Sequence, residues 1–191
     1  MSGQAEDGGH NTMVIPSSVP ARRDAVGDEH PRPTFQRELA VGLWAEIIPL
    51  LQAHKAEISH YPDIALDPDV ALYNEVERQG ALRCYTVRLD GELVGYAVFF
   101  VRAGLHYRGS LQAVQDVLFL WPDCRVSSIG YRLIQFAEAQ LKGEGVQVVF
   151  HHIKAKGCLV STLFRGLARL LSLLGYELID LIFAKRLDRE G

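Results

Sequence analysis

The sequence predicts a mixed α/β (α+β) domain with a mostly antiparallel central sheet flanked by helices. Three observations carry this. Leu82–Leu89 and Glu92–Arg102 are strand-like runs joined by Asp90-Gly91, a strong short-range hairpin signal. Two later stripes recur at helical spacing: Ile129, Leu133, Phe136, Ala137 and Leu141, then Val160, Leu163, Phe164, Leu167, Leu170, Leu171 and Leu174. Strand-like runs precede and follow each stripe, so the chain reads antiparallel early and βαβ-like late.

Each element has its own warrant. Residues 1–33 read as a flexible tail, with Pro16, Pro20, Pro31 and Pro33, four glycines and no aromatic residue; such a stretch buries too little apolar surface to offset its ordering entropy. The folded domain is expected over 34–191. Phe35–Leu39 is a short first strand. Val41, Trp44, Ile47, Ile48 and Leu51 mark a helix that Pro49 interrupts or restarts, because proline cannot donate the backbone bond. His60-Tyr61-Pro62-Asp63 is a loop. Asp67-Pro68 opens a helix with Leu72, Tyr73 and Val76 facing inward, and Gly80 closes it. After the hairpin come a strand at Leu111–Trp121, the first striped helix, and an apolar strand at Val146–Ile153 that looks buried. The second striped helix stops at Gly175, and Leu178–Leu187 is a last strand.

Composition narrows the function. With 48% apolar residues and a formal charge of −3, the 191-residue chain can bury a proper core. Its longest apolar run, Leu93–Val101, is too short to span a bilayer, and no secretory leader is evident, so no membrane role is expected. Cys84, Cys124 and Cys158 are odd in number and widely spaced, which suggests neither a disulfide framework nor a metal site and fits a cytoplasmic compartment. From His151 onward basic residues outnumber acidic ones, either as a solvated helix face or as a site for an anion. The cluster is too sparse for a nucleic-acid footprint.

The informative stretch is 118–134. A strand ends at Pro122, a tight connection comes next, and a helix begins near Ser127 or Ser128. The first turn of a helix offers unpaired N–H groups and a partial positive charge, so it can hold pyrophosphate by backbone alone. Arg125 adds a cation, and Gly130 allows close approach. Ordinary capping is the alternative.

This stretch resembles the acetyl-coenzyme A signature of the GNAT superfamily, V-x-P followed by R/Q-x-x-G-x-G/A and a helix. Here it stands as Leu120-Trp121-Pro122, then Arg125-Val126-Ser127-Ser128-Ile129-Gly130, with Ser128 in place of the first glycine. Leu174-Gly175-Tyr176 resembles the family's turn out of its last helix, and the order of elements matches over roughly 35–188. The resemblance implies a splayed strand pair, 111–121 against 146–153. The pantetheine arm of acetyl-CoA would lie in that gap against Val117, Leu118, Phe119 and Leu120. The diphosphate would sit on the amides of Val126, Ser127, Ser128, Ile129, Gly130 and Tyr131 beside Arg125. Direct acetyl transfer to an amine, of a protein or a small molecule, would then occur. On this reading Arg125→Glu weakens coenzyme binding and leaves the fold intact.

Asp116, near where some relatives carry a catalytic carboxylate, is a candidate general base, with Gln115 the choice if the alignment slips by one residue. His151 and His152 are further candidates, although adjacent strand residues face opposite ways and at most one can enter the site. A structural hydrogen-bonding role is the alternative for each. No histidine spacing suggests a metal. The tyrosine that many GNAT enzymes place four residues before the terminal glycine of the last helix is Leu171 here. Tyr131 or Tyr176 would have to replace it, or solvent. That absence, Ser128 and the short C-terminus keep open a non-catalytic module that binds coenzyme A or serves as an interaction or virion component. Some small GNAT-like proteins of tailed phages resemble the chain in this region, which places it in a bacterial or phage-infected cell. A homodimer also stays open.

Overall fold

The computed structural model describes residues 32–125, 127–154 and 162–188. The chain divides into two compact units, Met1–His152 and Ile153–Gly191. The first holds a five-stranded sheet in sequential order: β1 (Pro33–Glu38), β2 (Leu82–Leu89), β3 (Glu92–Ala103), β4 (Leu111–Leu120) and β5 (Val148–Phe150). The first four strands pair antiparallel, and β5 joins β4 in parallel. Thus the mixed, mostly antiparallel sheet is present. Of the expected tail, only Arg32 and Pro33 lie within the described residues, and Pro33 already opens β1.

The hairpin forms as its turn residues dictate. Asp90 and Gly91 both have positive φ, 50° and 85°, as a two-residue turn matched to strand twist requires. Helix α1 (Trp44–Ile58) comes after a 3₁₀ turn at Ala40–Gly42 and runs unbroken through Pro49. Proline removes one intrahelical bond there, but Ile47 and Leu50 on either side are buried, and that packing keeps the helix intact. Helix α2 (Val70–Arg78) starts two residues later than Asp67-Pro68 suggests. The capping acid is Asp69, whose carboxylate accepts from the Leu72 amide at 2.9 Å. Leu72 is therefore turned outward and 57% exposed, while Tyr73 and Val76 pack on the core. The Glu77 carboxylate ties α2 to the turn before α1 by accepting from the Ala40 and Val41 amides.

The sheet separates two layers. On one face Phe35, Tyr85 and Phe99 form a chain of ring contacts that Phe136 of α3 (Ile129–Gly143) completes. On the other face Trp44 meets Tyr73, Tyr73 meets Phe100, and His54 meets Phe119, which places α1 and α2 there. Glu144, just past α3, receives both Arg37 of β1 and Arg83 of β2.

Two strands differ from expectation. The run 146–153 gives only the three-residue β5, and Val148 is 40% exposed, so the strand is a short edge and is not buried. In the second unit α4 (Thr162–Leu173) ends at Gly175, whose φ of 88° accommodates the left-handed stop. The side chains of Leu163 and Phe164, and residue Val160, lie outside what is described. Leu178–Leu187 forms no helix and belongs to no ladder among the described residues, and Leu178, Ile182 and Phe183 are exposed. Apolar, β-prone composition supplies propensity; a strand also needs a paired neighbour.

Gly95 sets how closely β3 and β4 approach near the end of β4. A Cβ at that position would stand 2.6 Å from Leu120 Cδ1 and 2.8 Å from the Phe119 carbonyl oxygen, and the latter is backbone. Gly95→Ala is expected to destabilise the fold by about 1–3 kcal/mol through overpacking, measured by denaturant unfolding. A neutral result would mean that the two strands are less tightly apposed.

Candidate functional site

β4 loses one of its two partners midway. Its pairing with β5 covers only Gln112–Val114 against Val148–Phe150. From Gln115 to Leu120 it is paired with β3 alone among the described residues, so one edge of its backbone opens beside the parting strands. The splayed pair implied by the sequence is present.

At the fork Gln115 is buried and reaches across. Its Oε1 lies 2.6 Å from Nδ1 of His151, and its Nε2 donates to the His152 carbonyl at 3.4 Å. The His151 ring also stands edge-on to Phe99 at 5.6 Å, within the α3 layer. Burial, reinforced by the neighbouring His152, pushes its pKa down from 6.5 to about 4. An imidazole held neutral in this way is a weak base. His152 is exposed.

The next residue of β4 behaves differently. Val98 pairs with Val117 and Phe99 with Gln115, so Asp116 is the extra residue of a β-bulge. It is exposed, and its Oδ2 accepts from the Tyr73 hydroxyl of α2 at 2.5 Å. Asp116 therefore belongs to the α1/α2 layer while His151 belongs to the α3 layer. Asp116 and His151 thus do not converge.

Beyond the bulge Val117, Phe119 and Leu120 are buried and Leu118 is half-buried. Arg125 turns back over this strand end. Its Nε donates to the Leu120 carbonyl at 2.8 Å, and its guanidinium meets both Glu57 oxygens of α1 at 3.0 and 2.9 Å above the Phe119 ring. Arg125 is thus an internal clamp, and Arg125→Glu, fold-neutral on the sequence reading, would set two carboxylates together.

Between Arg125 and α3 the chain offers mainly backbone. Ser127 Oγ donates to the Cys124 carbonyl and accepts from the Ile129 amide at 3.2 Å, while Ser128 makes no side-chain cap. No acidic residue lies in the first turn of α3. Gly130 faces Leu120, with room for a Cβ at 3.6 Å, so it is not sterically compelled to be glycine by the protein's own packing. Tyr131 is half-buried and its hydroxyl accepts from Gln135. Val126 lies outside the described residues.

Residues 48–157 match the model of the acetyltransferase (GNAT) family. The chain belongs to the GNAT acetyltransferase family. Among curated proteins none matches. Solved structures share the fold at low identity. An aminoglycoside acetyltransferase from an uncultured soil metagenomic sample, in complex with trehalose, is 14% identical with a TM-score of 0.62, covering 82% of this chain and 97% of that one. A ribosomal-protein-alanine N-acetyltransferase from Brucella melitensis is 16% identical with a TM-score of 0.54, covering 84% and 100%. A predicted acetyltransferase with acetyl-CoA from Clostridium acetobutylicum is 9% identical with a TM-score of 0.58, covering 82% and 97%.

Several features of this GNAT protein escaped the sequence reading. Glu57 left no signal that it would hold Arg125, and Tyr73 read only as a core residue. Cys84 is a buried thiol whose pKa is pushed up to about 12 by burial, then by Glu77 and Glu38. Among the described residues no helix is long and apolar enough to cross a membrane.

The neutral His151 has a consequence for stability. Its folded pKa is depressed, so between about pH 6.5 and 4 the unfolded chain binds the extra proton and stability falls as pH falls. Relative to wild type, His151→Gln is expected to gain up to ~1.4 kcal/mol per pH unit across that window and to show a constant difference above it. Parallel stability–pH curves for the two proteins would show that His151 is not held neutral.

Proposed function

We propose that the protein is an N-acetyltransferase, moving an acetyl group from acetyl-CoA directly to a primary amine of a protein or small molecule in the cytoplasm of a bacterial or phage-infected cell. The observation that carries this reading is the conjunction of a parted β4–β5 pair with an α3 N-terminus that has no acidic residue of its own in the first turn. The family and the fold support it.

In this reading the amides at 127–131 hold the diphosphate, aided by the helix dipole, and the edge of β4 from Val117 to Leu120 that pairs with no strand among the described residues accepts the pantetheine arm. An amide N–H of that edge would meet the thioester carbonyl and stabilise the tetrahedral oxyanion. Chemically, an ammonium loses a proton, its nitrogen attacks the carbonyl carbon, and the C–S bond breaks to give an amide and the coenzyme thiol. Asp116 is the base of choice, because it is exposed while His151 is half-buried, neutral and bonded to Gln115. Arg125 contributes by fixing the end of β4 through the Leu120 carbonyl and Glu57.

One observation favours a second reading, a coenzyme-binding module without turnover. Position 171 carries a buried leucine, so no phenol stands there to protonate the departing thiolate.

Ser128→Asp separates these readings from an ordinary helix start. An acid at this cap is expected to raise the melting temperature of the free protein by improving the cap and opposing the helix dipole, a gain of about 0.5–1 kcal/mol. It should also weaken acetyl-CoA binding at least about tenfold by repelling the diphosphate. Calorimetric titration with acetyl-CoA checks the second effect, and affinity equal to wild type would remove this helix start from the site. Thiol release over a panel of amines and protein acceptors then distinguishes turnover from binding alone.

A further inference from the structure

The bulge gives Asp116 a freedom that the rest of β4 lacks. A residue omitted from the ladder is not oriented by cross-strand pairing, and a carboxylate rotates easily about its last torsion. Something else must then orient it. Tyr73 meets the requirement. Its ring is held between the edge of Trp44, with centroids 5.3 Å apart, and the stacked ring of Phe100 at 6.1 Å. Trp44 is itself fixed by its indole N–H donating to Asn74 at 3.0 Å. The hydroxyl at the end of this held ring donates to Oδ2 of Asp116. Among the described residues Oδ1 accepts no hydrogen bond.

We propose that Tyr73 is a positioning residue for acyl transfer, holding Oδ2 of Asp116 so that Oδ1 is the oxygen offered to the incoming amine. This rests on Asp116 being the base. One proton of the substrate ammonium passes to Oδ1, leaving the nitrogen lone pair free to attack, while Oδ2 keeps the Tyr73 hydrogen bond. Water then takes the proton from Oδ1 and restores the carboxylate. Tyr73 never gives up its own proton, because burial and the adjacent Asp116 raise its pKa. The buried phenol of Tyr96 on β3 also faces Asp116, and α1 presents to the same cavity Trp44, which does not titrate.

Tyr73→Phe keeps both ring contacts and deletes only the donor. Isotope-edited infrared spectra, with Asp116→Asn identifying the band, should show the Asp116 carboxylate stretch displaced in Tyr73→Phe. With acetyl-CoA and the best amine of the thiol-release panel, kcat should fall about tenfold while KM for acetyl-CoA stays within about twofold. An unchanged band, or a displaced band with wild-type kinetics, overturns the positioning role and leaves Asp116 as base if Asp116→Asn is still crippled. Full turnover by Asp116→Asn, or no turnover with any amine, overturns the parent reading and this one together.

Discussion

Every feature of the site depends on β4 losing one of its two neighbours. Backbone N–H and C=O groups must be satisfied, and inside a sheet both strand edges are normally used. β4 meets that rule through Val114 and departs from it at Gln115, where β5 stops. The departure is stabilised locally. Gln115 spans the fork to His151 and His152, so the strands part at a defined residue and do not fray. The bulge at the next position turns Asp116 out of the ladder toward α2. Gly95 then allows β3 to follow β4 closely along its remaining length, leaving the opposite edge of β4 as the open one.

A second consequence concerns the charge of Arg125. The arginine of the signature does not point at solvent as a free cation. It is consumed by Glu57 and by the Leu120 carbonyl, partly exposed but doubly bonded to one carboxylate. Its charge is largely matched within the protein, and it holds α1 to the end of β4. The N-terminus of α3 has no acid in its first turn to neutralise its partial positive charge. A backbone cradle of this kind depends on the connection between Pro122 and Ile129 keeping its shape, and Ser127, bonded to both Cys124 and Ile129, supplies that restraint.

Much of this was legible in the sequence where a local rule decides the outcome. Asp90-Gly91 dictates a turn with two positive φ values, Gly80 and Gly175 stop helices, and the stripes of α3 define its buried face. Reading failed where a partner decides. Leu178–Leu187 has the composition of a strand, yet composition cannot supply a ladder. Pro49 looked like an interruption because its missing donor is a local fact, whereas the packing that keeps α1 continuous is not. Asp67 and Asp69 are both plausible caps, and only the fold chooses between them. In the site the same division holds. The strand, the turn and the helix start were visible, but the α1 carboxylate that takes Arg125 lies 68 residues away in sequence, and the phenol that takes Asp116 lies 43 away.

The separation of the candidate acid–base groups into two layers bears on how the reaction would be completed. A base is needed on the amine side and a proton is needed at sulfur. Asp116 lies on the α1/α2 side of β4, and His151, with its pKa near 4, is unprotonated at neutral pH and has no proton to spare as an acid. Leu171 offers none. A coenzyme thiol is a far weaker base as its thiolate than an alkoxide would be, since thiols ionise near pH ~8.5 in water. A departing thiolate therefore depends less on a dedicated proton donor than an alkoxide would. A leucine at position 171 is thus compatible with turnover, and on the proposed mechanism the greater catalytic demand falls on deprotonating the amine, the step assigned to Asp116.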